Sequence, residues 1–166
     1  AITLDDASNG LSGTVTVAAG TGDVTIDNDV TDLGLVVTSA NDVTVVDAGM
    51  VDLQGTVSND LLVSNSTGVT DSGTLSVTGT TGITTSGDGS VALDSDGNAL
   101  TGVVTVSSGA GDITLDNNTT DLSLVSTSSG MVTIEDAGAL TVEGSMGSFM
   151  VTEADSVANT GALSVT

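Results

Sequence analysis

The residues of this chain whose types could do chemistry are oxygen-bearing, and their densest grouping is Asp27-Asn28-Asp29 with Asp32. The same grouping returns as Asp116-Asn117-Asn118 with Asp121. Carboxylates, side-chain amide oxygens and turn carbonyls are the hard ligands that calcium accepts in flexible geometry. Asp27, Asn28, Asp29, Asp32, Asp116, Asn117 and Asp121 are therefore the candidate metal ligands, with calcium the one cofactor they suggest. Paired acids such as Asp5/Asp6 and Asp94/Asp96 raise a second chemistry, glycoside hydrolysis, in which two carboxyl groups flank the scissile bond. Such sites usually bind the sugar on aromatic rings, and Phe149 is the only aromatic residue here. The chain has no His, Cys or Lys, so the usual nucleophile–base pairs cannot be assembled. The inventory predicts a non-catalytic chain, with a carbohydrate-acting enzyme as the alternative, and the isolated acid pairs read as solvated turn residues.

The first metal candidates close a decapeptide, GTGDVTIDND at 20–29, that returns 89 positions later (109 − 20) as GAGDITLDNN at 109–118. A calcium β-roll repeat reads G-G-x-G-x-D-x-U-x. Here Asp23 follows Gly22 directly, one position early, and the unit does not iterate in tandem. No run of the EF-hand form, with its closing Glu, occurs either. The decapeptide predicts architecture instead: Gly20 and Gly22 form a corner, Val24 and Ile26 enter a core, and Asp27-Asn28 open the next turn.

The elements that would hold these residues are short strands. Triplets of the form apolar–small polar–apolar recur throughout: Val24-Thr25-Ile26, Val43-Thr44-Val45, Leu75-Ser76-Val77, Ile113-Thr114-Leu115, Val132-Thr133-Ile134. Side chains alternate across a strand, so the outer two of each triplet share a face. Gly, Asn, Asp and Ser fill the intervals, and no 3.6-residue period persists, so the fold is all-β. The repeat extends beyond the decapeptide. Leu11-Ser12-Gly13 returns as Leu100-Thr101-Gly102, and Asp47-Ala48-Gly49 as Asp136-Ala137-Gly138. Gly73-Thr74-Leu75-Ser76-Val77-Thr78 then returns at Gly161–Thr166 with one residue lost. Residues 1–166 read as one continuous segment, an 89-residue repeat (1–89) and most of a second (90–166), cut as a window from a longer array.

Short strands at even spacing favour a right-handed parallel β-helix, a β-solenoid, over a sandwich. Strand starts near 2, 15, 24, 33, 43, 51, 61, 75 and 83 give nine strands per repeat. Three-sided coils of about 30 residues would divide the repeat into three, and four coils of about 22 are the alternative. Stacked coils also account for composition. Medium aliphatics fill an interior column that large rings would disturb, and the absence of proline keeps every strand amide available.

The formal charge is −22, with no Lys or Arg. Affinity for phosphates comes from basic side chains, so no nucleic acid partner is expected, and an anionic membrane surface would repel the chain. No apolar run is long enough for a membrane helix, and no secretory signal precedes the strand-like Ile2-Thr3-Leu4. Without Lys or Arg the chain offers trypsin-like proteases no site, which suits an extracellular or cell-surface location. The outward Thr and Ser rows supply mostly one Thr per strand, which fits a solvated face better than an ice-binding one.

The cadence of GNALTGVVTVSSGAGDITLDNN (97–118), EDAGALTVEG (135–144) and SGTLSVTGTTGITTSG (72–87) resembles the β-strand repeats of giant bacterial surface and secreted proteins. Filamentous haemagglutinin-like adhesins and autotransporter passengers are among them. The resemblance covers the whole chain and carries no catalytic motif. It implies a β-helical shaft that holds an adhesive tip away from the cell or packs into an extracellular fibre. The expected partners are divalent cations and further copies, through end-to-end stacking or continuation within a longer chain. A calcium-dependent surface-layer or biofilm matrix protein is a further alternative.

Overall fold

The computed structural model describes residues 1–29, 31–118 and 120–166, and among these every regular element is a strand. The first nine are β1 (Ile2–Leu4), β2 (Gly13–Ala18), β3 (Val24–Asp27), β4 (Leu33–Ala40), β5 (Val43–Val46), β6 (Met50–Val57), β7 (Leu61–Ser66), β8 (Gly68–Val77) and β9 (Thr81–Thr85). The next nine are β10 (Val91–Leu93), β11 (Ala99–Leu100), β12 (Val103–Gly109), β13 (Ile113–Asp116), β14 (Leu122–Ser128), β15 (Met131–Asp136), β16 (Ala139–Met146), β17 (Ser148–Val151) and β18 (Ser156–Val165). All pairings are parallel. One sheet runs β1-β3-β5-β7-β9-β12-β14-β16-β18 and the other β2-β4-β6-β8-β10-β13-β15-β17, with β11 beside β8. The chain is a β-solenoid of about nine turns.

The coils are shorter than 30 residues and closer to the alternative of about 22. Val24 pairs with Ile2, Val43 with Val24, Leu61 with Val43 and Thr81 with Leu61, steps of 22, 19, 18 and 20 residues. Each turn takes two strands, one from each sheet, where one strand per side had been expected. The physical reason lies in the longer strand of each turn. β6 and β16 change register at Gly55 and Gly144, so one strand bends round a corner that would otherwise need a separate turn. Both glycines have positive φ, +115° and +110°, and a Cβ on either would collide with the carbonyl of Val37 or Ser126 in the preceding coil. Only glycine lets the chain bend there while the coils stay in contact.

Two strands per turn and nine per repeat make four and a half turns, so the second copy emerges on the opposite side. Val24 of β3 and its equivalent Ile113 of β13 lie in different sheets, as do Leu33 of β4 and Leu122 of β14, and Val51 of β6 and Leu140 of β16. Successive repeats are thus related by a half-turn about the axis and a rise of about 22 Å, at roughly 4.8 Å per turn. The single residue lost from the second copy falls between Met146 and Phe149, a turn position equivalent to the interval between Val57 and Leu61.

The core consists of columns of one residue per coil. Leu33, Val51, Val69, Val91, Ile113, Val132 and Phe149 form one, and Ile26, Val45, Val63, Ile83 and Val106 another. All but Phe149, which is half-buried at the end of its column, are 2% exposed or less. Ser126 follows Val106 in the second column and Thr81 stands between Leu61 and Val104 in a third, each with a buried hydroxyl that has no hydrogen-bond partner.

Candidate functional site

The decapeptide folds as a corner. Gly20 and its equivalent Gly109 have φ of +64° and +58°, and the amides of Gly22 and Gly111 donate to the carbonyls of Ala19 and Ser108. Val24, Ile26, Ile113 and Leu115 are buried.

The two asparagines proposed as ligands point inward and are fully buried. Asn28 Oδ1 accepts the Leu11 amide at 2.7 Å, while its Nδ2 donates to the carbonyls of Leu11 (3.0 Å) and Thr31 (2.7 Å). Asn117 repeats this, accepting from Leu100 N–H at 2.7 Å and donating to the carbonyls of Leu100, Thr120 and Asp121. Each side-chain amide thus acts as one more strand residue, pairing with backbone in the preceding coil. The residue after each asparagine has a left-handed backbone, φ +40° at Asp29 and +49° at Asn118. Asn and Asp both tolerate that conformation, which accounts for their exchange between copies.

The acids of the two groupings diverge. Asp29 is exposed. Asp27 ends β3 with a buried Oδ1 that has no partner, and Asp116 ends β13 with its Oδ1 accepting from Asn118 N–H at 2.8 Å. Asp32 and Asp121 reach the next coil and accept the amides of Met50 (2.8 Å) and Ala139 (2.9 Å). Among the described residues, no three acidic side chains are grouped closely enough to hold a metal ion.

The last pair belongs to a wider pattern that the sequence reading missed. Asp23, Asp32, Asp42, Asp60, Asp71, Asp88, Asp112 and Asp121 each accept a backbone amide from one coil further on, at Asp42, Met50, Asp60, Thr80, Asp94, Ala110, Met131 and Ala139. The separations run from 18 to 23 residues, one coil in each case. At one corner the clasps form a ladder: Asn41 Nδ2 donates to Asp23 at 2.9 Å and Asn59 Nδ2 to Asp42 at 2.7 Å. Ionised acceptors make the stronger hydrogen bonds, so carboxylates at the corners tie coil to coil where the ladders of the flat faces end. The signal was present in the spacing of Asn41-Asp42 and Asn59-Asp60, 18 residues apart.

The electrostatics follow from this geometry. The Asn41 amide, with the Asp42 N–H, holds the Asp23 carboxyl below the usual carboxylate range, and the Ser8 hydroxyl and amide do the same for Asp6. Asp71 differs because it points into the core, paired in register with Leu53. Burial pushes its carboxyl up, against hydrogen bonds from Asn98 Nδ2 (2.6 Å), Asp94 N–H and Ser95 N–H, and the charge of Asp94 pushes the same way as burial.

Two surface depressions adjoin the acids. One of about 400 Å³ is lined by Ser, Thr, Gly and Ala residues with a single acid, Asp88. The other, about 280 Å³, brings Asp32 and Asp52 to one lining beside Met50. Asp52 Oδ2 accepts from Ser72 Oγ at 2.7 Å, and its buried Oδ1 has no partner. Among the described residues no helix is long and apolar enough to cross a membrane.

Parallel coils, internal repeats and inter-coil clasps define a β-strand-repeat protein with a β-solenoid fold. Residues 40–107 match the family described as repeats of unknown function (DUF5649). No curated protein and no solved structure matches the chain.

Proposed function

We propose that this chain is a non-catalytic structural segment, the shaft of an extracellular bacterial fibre or adhesin. The observation that carries the reading is the use made of the acids: eight carboxylates, the residue type on which catalysis or metal binding would depend, accept backbone amides from the next coil. A solenoid held in this way transmits length and stiffness, since each coil contacts only its neighbours. The rival is a carbohydrate-acting enzyme, for which the depression shared by Asp32 and Asp52 is the available pair of acids. A glycan-degradation screen on the purified chain separates the two. No turnover is expected, and turnover abolished by Asp52→Asn would overturn the structural role.

A further inference from the structure

Asp71 is a carboxylate set into the core. Its column runs Leu35, Leu53 and Asp71 on β4, β6 and β8, and Leu93, Leu115 and Ile134 continue it on β10, β13 and β15. The side chain is 7% exposed. The ladder between β8 and β10 stops one residue short of it. Val91 pairs with Val69 and Ala92 with Thr70, and pairing resumes only where Ala99 and Leu100 of β11 meet Ser76 and Val77.

Between those points, residues 94–98 are held to β8 through the carboxyl itself. Its Oδ1 accepts Asp94 N–H at 2.9 Å and Ser95 N–H at 3.3 Å, and its Oδ2 accepts Asn98 Nδ2 at 2.6 Å. Asn98, fully buried, accepts Leu75 N–H at 2.8 Å in turn. A stretch that a backbone ladder would otherwise fix therefore depends on one ionisable group. The surroundings give its charge no cation. Asp94 and Asp96 lie exposed in the loop itself, and Asp52 of β6 is in register with Thr70 and turns its Oδ2 to Ser72 Oγ. In the opposite sheet β7 and β9 carry no titratable residue, and the chain has no Lys, Arg or His. Burial among leucines opposes the ionised form while the three donors favour it. Burial prevails and pushes the carboxyl up, with the charge of Asp94 acting in the same direction.

We propose that residues 94–98 are a flap latched by Asp71, held most firmly in acid and loosened when the carboxyl is ionised, which makes the junction between the two repeats a pH-sensitive seam. The flap has firm edges. On one side β10 stays in register with β13, and on the other Leu100 is clamped by the side-chain amide of Asn117. A group that holds its proton more tightly when closed contributes fully below the ordinary carboxylate value. It loses that contribution as pH rises through the raised one. The device belongs to this junction, because the equivalent of Asp71 in the second copy is Asn159, which does not titrate.

Hydrogen exchange read amide by amide tests the flap. After correction for intrinsic rates, the Asp94, Ser95 and Leu75 amides should lose protection several-fold between the carboxylate range and neutrality. They should exchange faster than the amides of Val43 and Leu61, which donate to the carbonyls of Asp60 and Thr80 within sheet A. Their exchange should also be insensitive to low denaturant, since a flap exposes little surface. Asp71→Asn and Asp71→Leu should both flatten the pH dependence. One replacement is polar and the other matches Leu53 and Leu93 of the same column, so the test survives if either variant fails to fold. Asp94→Asn should shrink the dependence without removing it. Circular dichroism checks that each variant keeps its sheet. Protection that rises with pH would mean that the donors outrank burial, and flap amides exchanging in step with Val43 and Leu61 at every denaturant concentration would mean that no flap opens. Either result overturns the proposal.

Discussion

Asn28 and Asn117 are where a ligand role and a structural role give opposite forecasts. A calcium ligand of this type would tolerate Asn28→Asp, because a carboxylate binds the ion at least as well. A fully buried amide that donates to two backbone carbonyls would not, since the change removes both donors and buries a charge. We expect Asn28→Asp and Asn117→Ala each to cost about 2–3 kcal/mol in chemical denaturation, the penalty for buried polar groups left unpaired. Melting temperatures in calcium and in excess chelator, at matched ionic strength, should agree. A calcium-dependent rise that Asn28→Asp preserves would support the metal reading. Asp71 supplies a second test. Its carboxyl is raised by burial, so the folded state holds the proton more tightly than the unfolded chain. Its contribution is therefore full at low pH and is lost as pH rises from the ordinary carboxylate value through the raised one. Asp71→Asn, the residue found at the equivalent Asn159, should melt higher than the parent at pH 7, and the gap should close on acidification. A gap that widens toward acid would contradict the burial. Asp23 has the opposite sign, since its lowered carboxyl stabilises above the ordinary value and loses that effect as pH falls. The corner role of the decapeptide was legible in its glycines and its Val-Thr-Ile triplet. The inward turn of Asn28 was not, because Asn serves equally as a turn residue, an interior amide clasp or a ligand.

The strands themselves were close to fully legible. The nine starts expected for the first repeat lie within two residues of those observed, apart from β8, which begins at Gly68 rather than near 75 and so runs for 10 residues. How they group into turns was not legible, because an apolar–polar–apolar triplet reads the same whether it pairs with the second strand along or the third. What decides it is the bend inside a strand. Gly55 and Gly144 stand in the positive-φ region against the backbone of the coil below, with no room for a methyl group. Gly55→Ala and Gly144→Ala should each destabilise by about 3 kcal/mol or more, combining backbone strain with a steric collision. Gly87 has φ of +64° and open space around its Cα, so Gly87→Ala should cost only about 1 kcal/mol. Denaturant midpoints of the three variants measure the contrast. Equal losses at Gly55 and Gly87 would mean that coil contact does not set the bend.

Over the whole molecule, shorter coils mean a longer rod with its charge spread out. Five or six coils would have placed the 22 acids at roughly one per 1.2 Å, denser than duplex DNA at about 1.7 Å per charge. Nine turns at about 4.8 Å extend to about 43 Å, or one charge per about 2 Å, a density that monovalent screening handles more readily. The same count fixes the symmetry. Because the repeat spans an odd number of strands, features that recur in sequence appear alternately on opposite sides, and a given face sees its own pattern again only after two repeats. Thr25 shows this, with its equivalent Thr114 in the other sheet and Thr105 four strands along in its own. Cysteines introduced in pairs at these positions, in a chain that has none, can carry spin labels whose separation is read by pulsed resonance. Labels at 25 and 105 share a face and should lie about 19 Å apart, four strand spacings. Labels at 25 and 114 are only nine residues further separated in sequence, yet they point away from each other across two sheets about 10 Å apart, offset axially by about 22 Å. Their separation should exceed the first by well over 5 Å, since the crossing and the two label arms add to the axial offset. Equal separations would place both copies on one face and replace the half-turn with a whole number of turns.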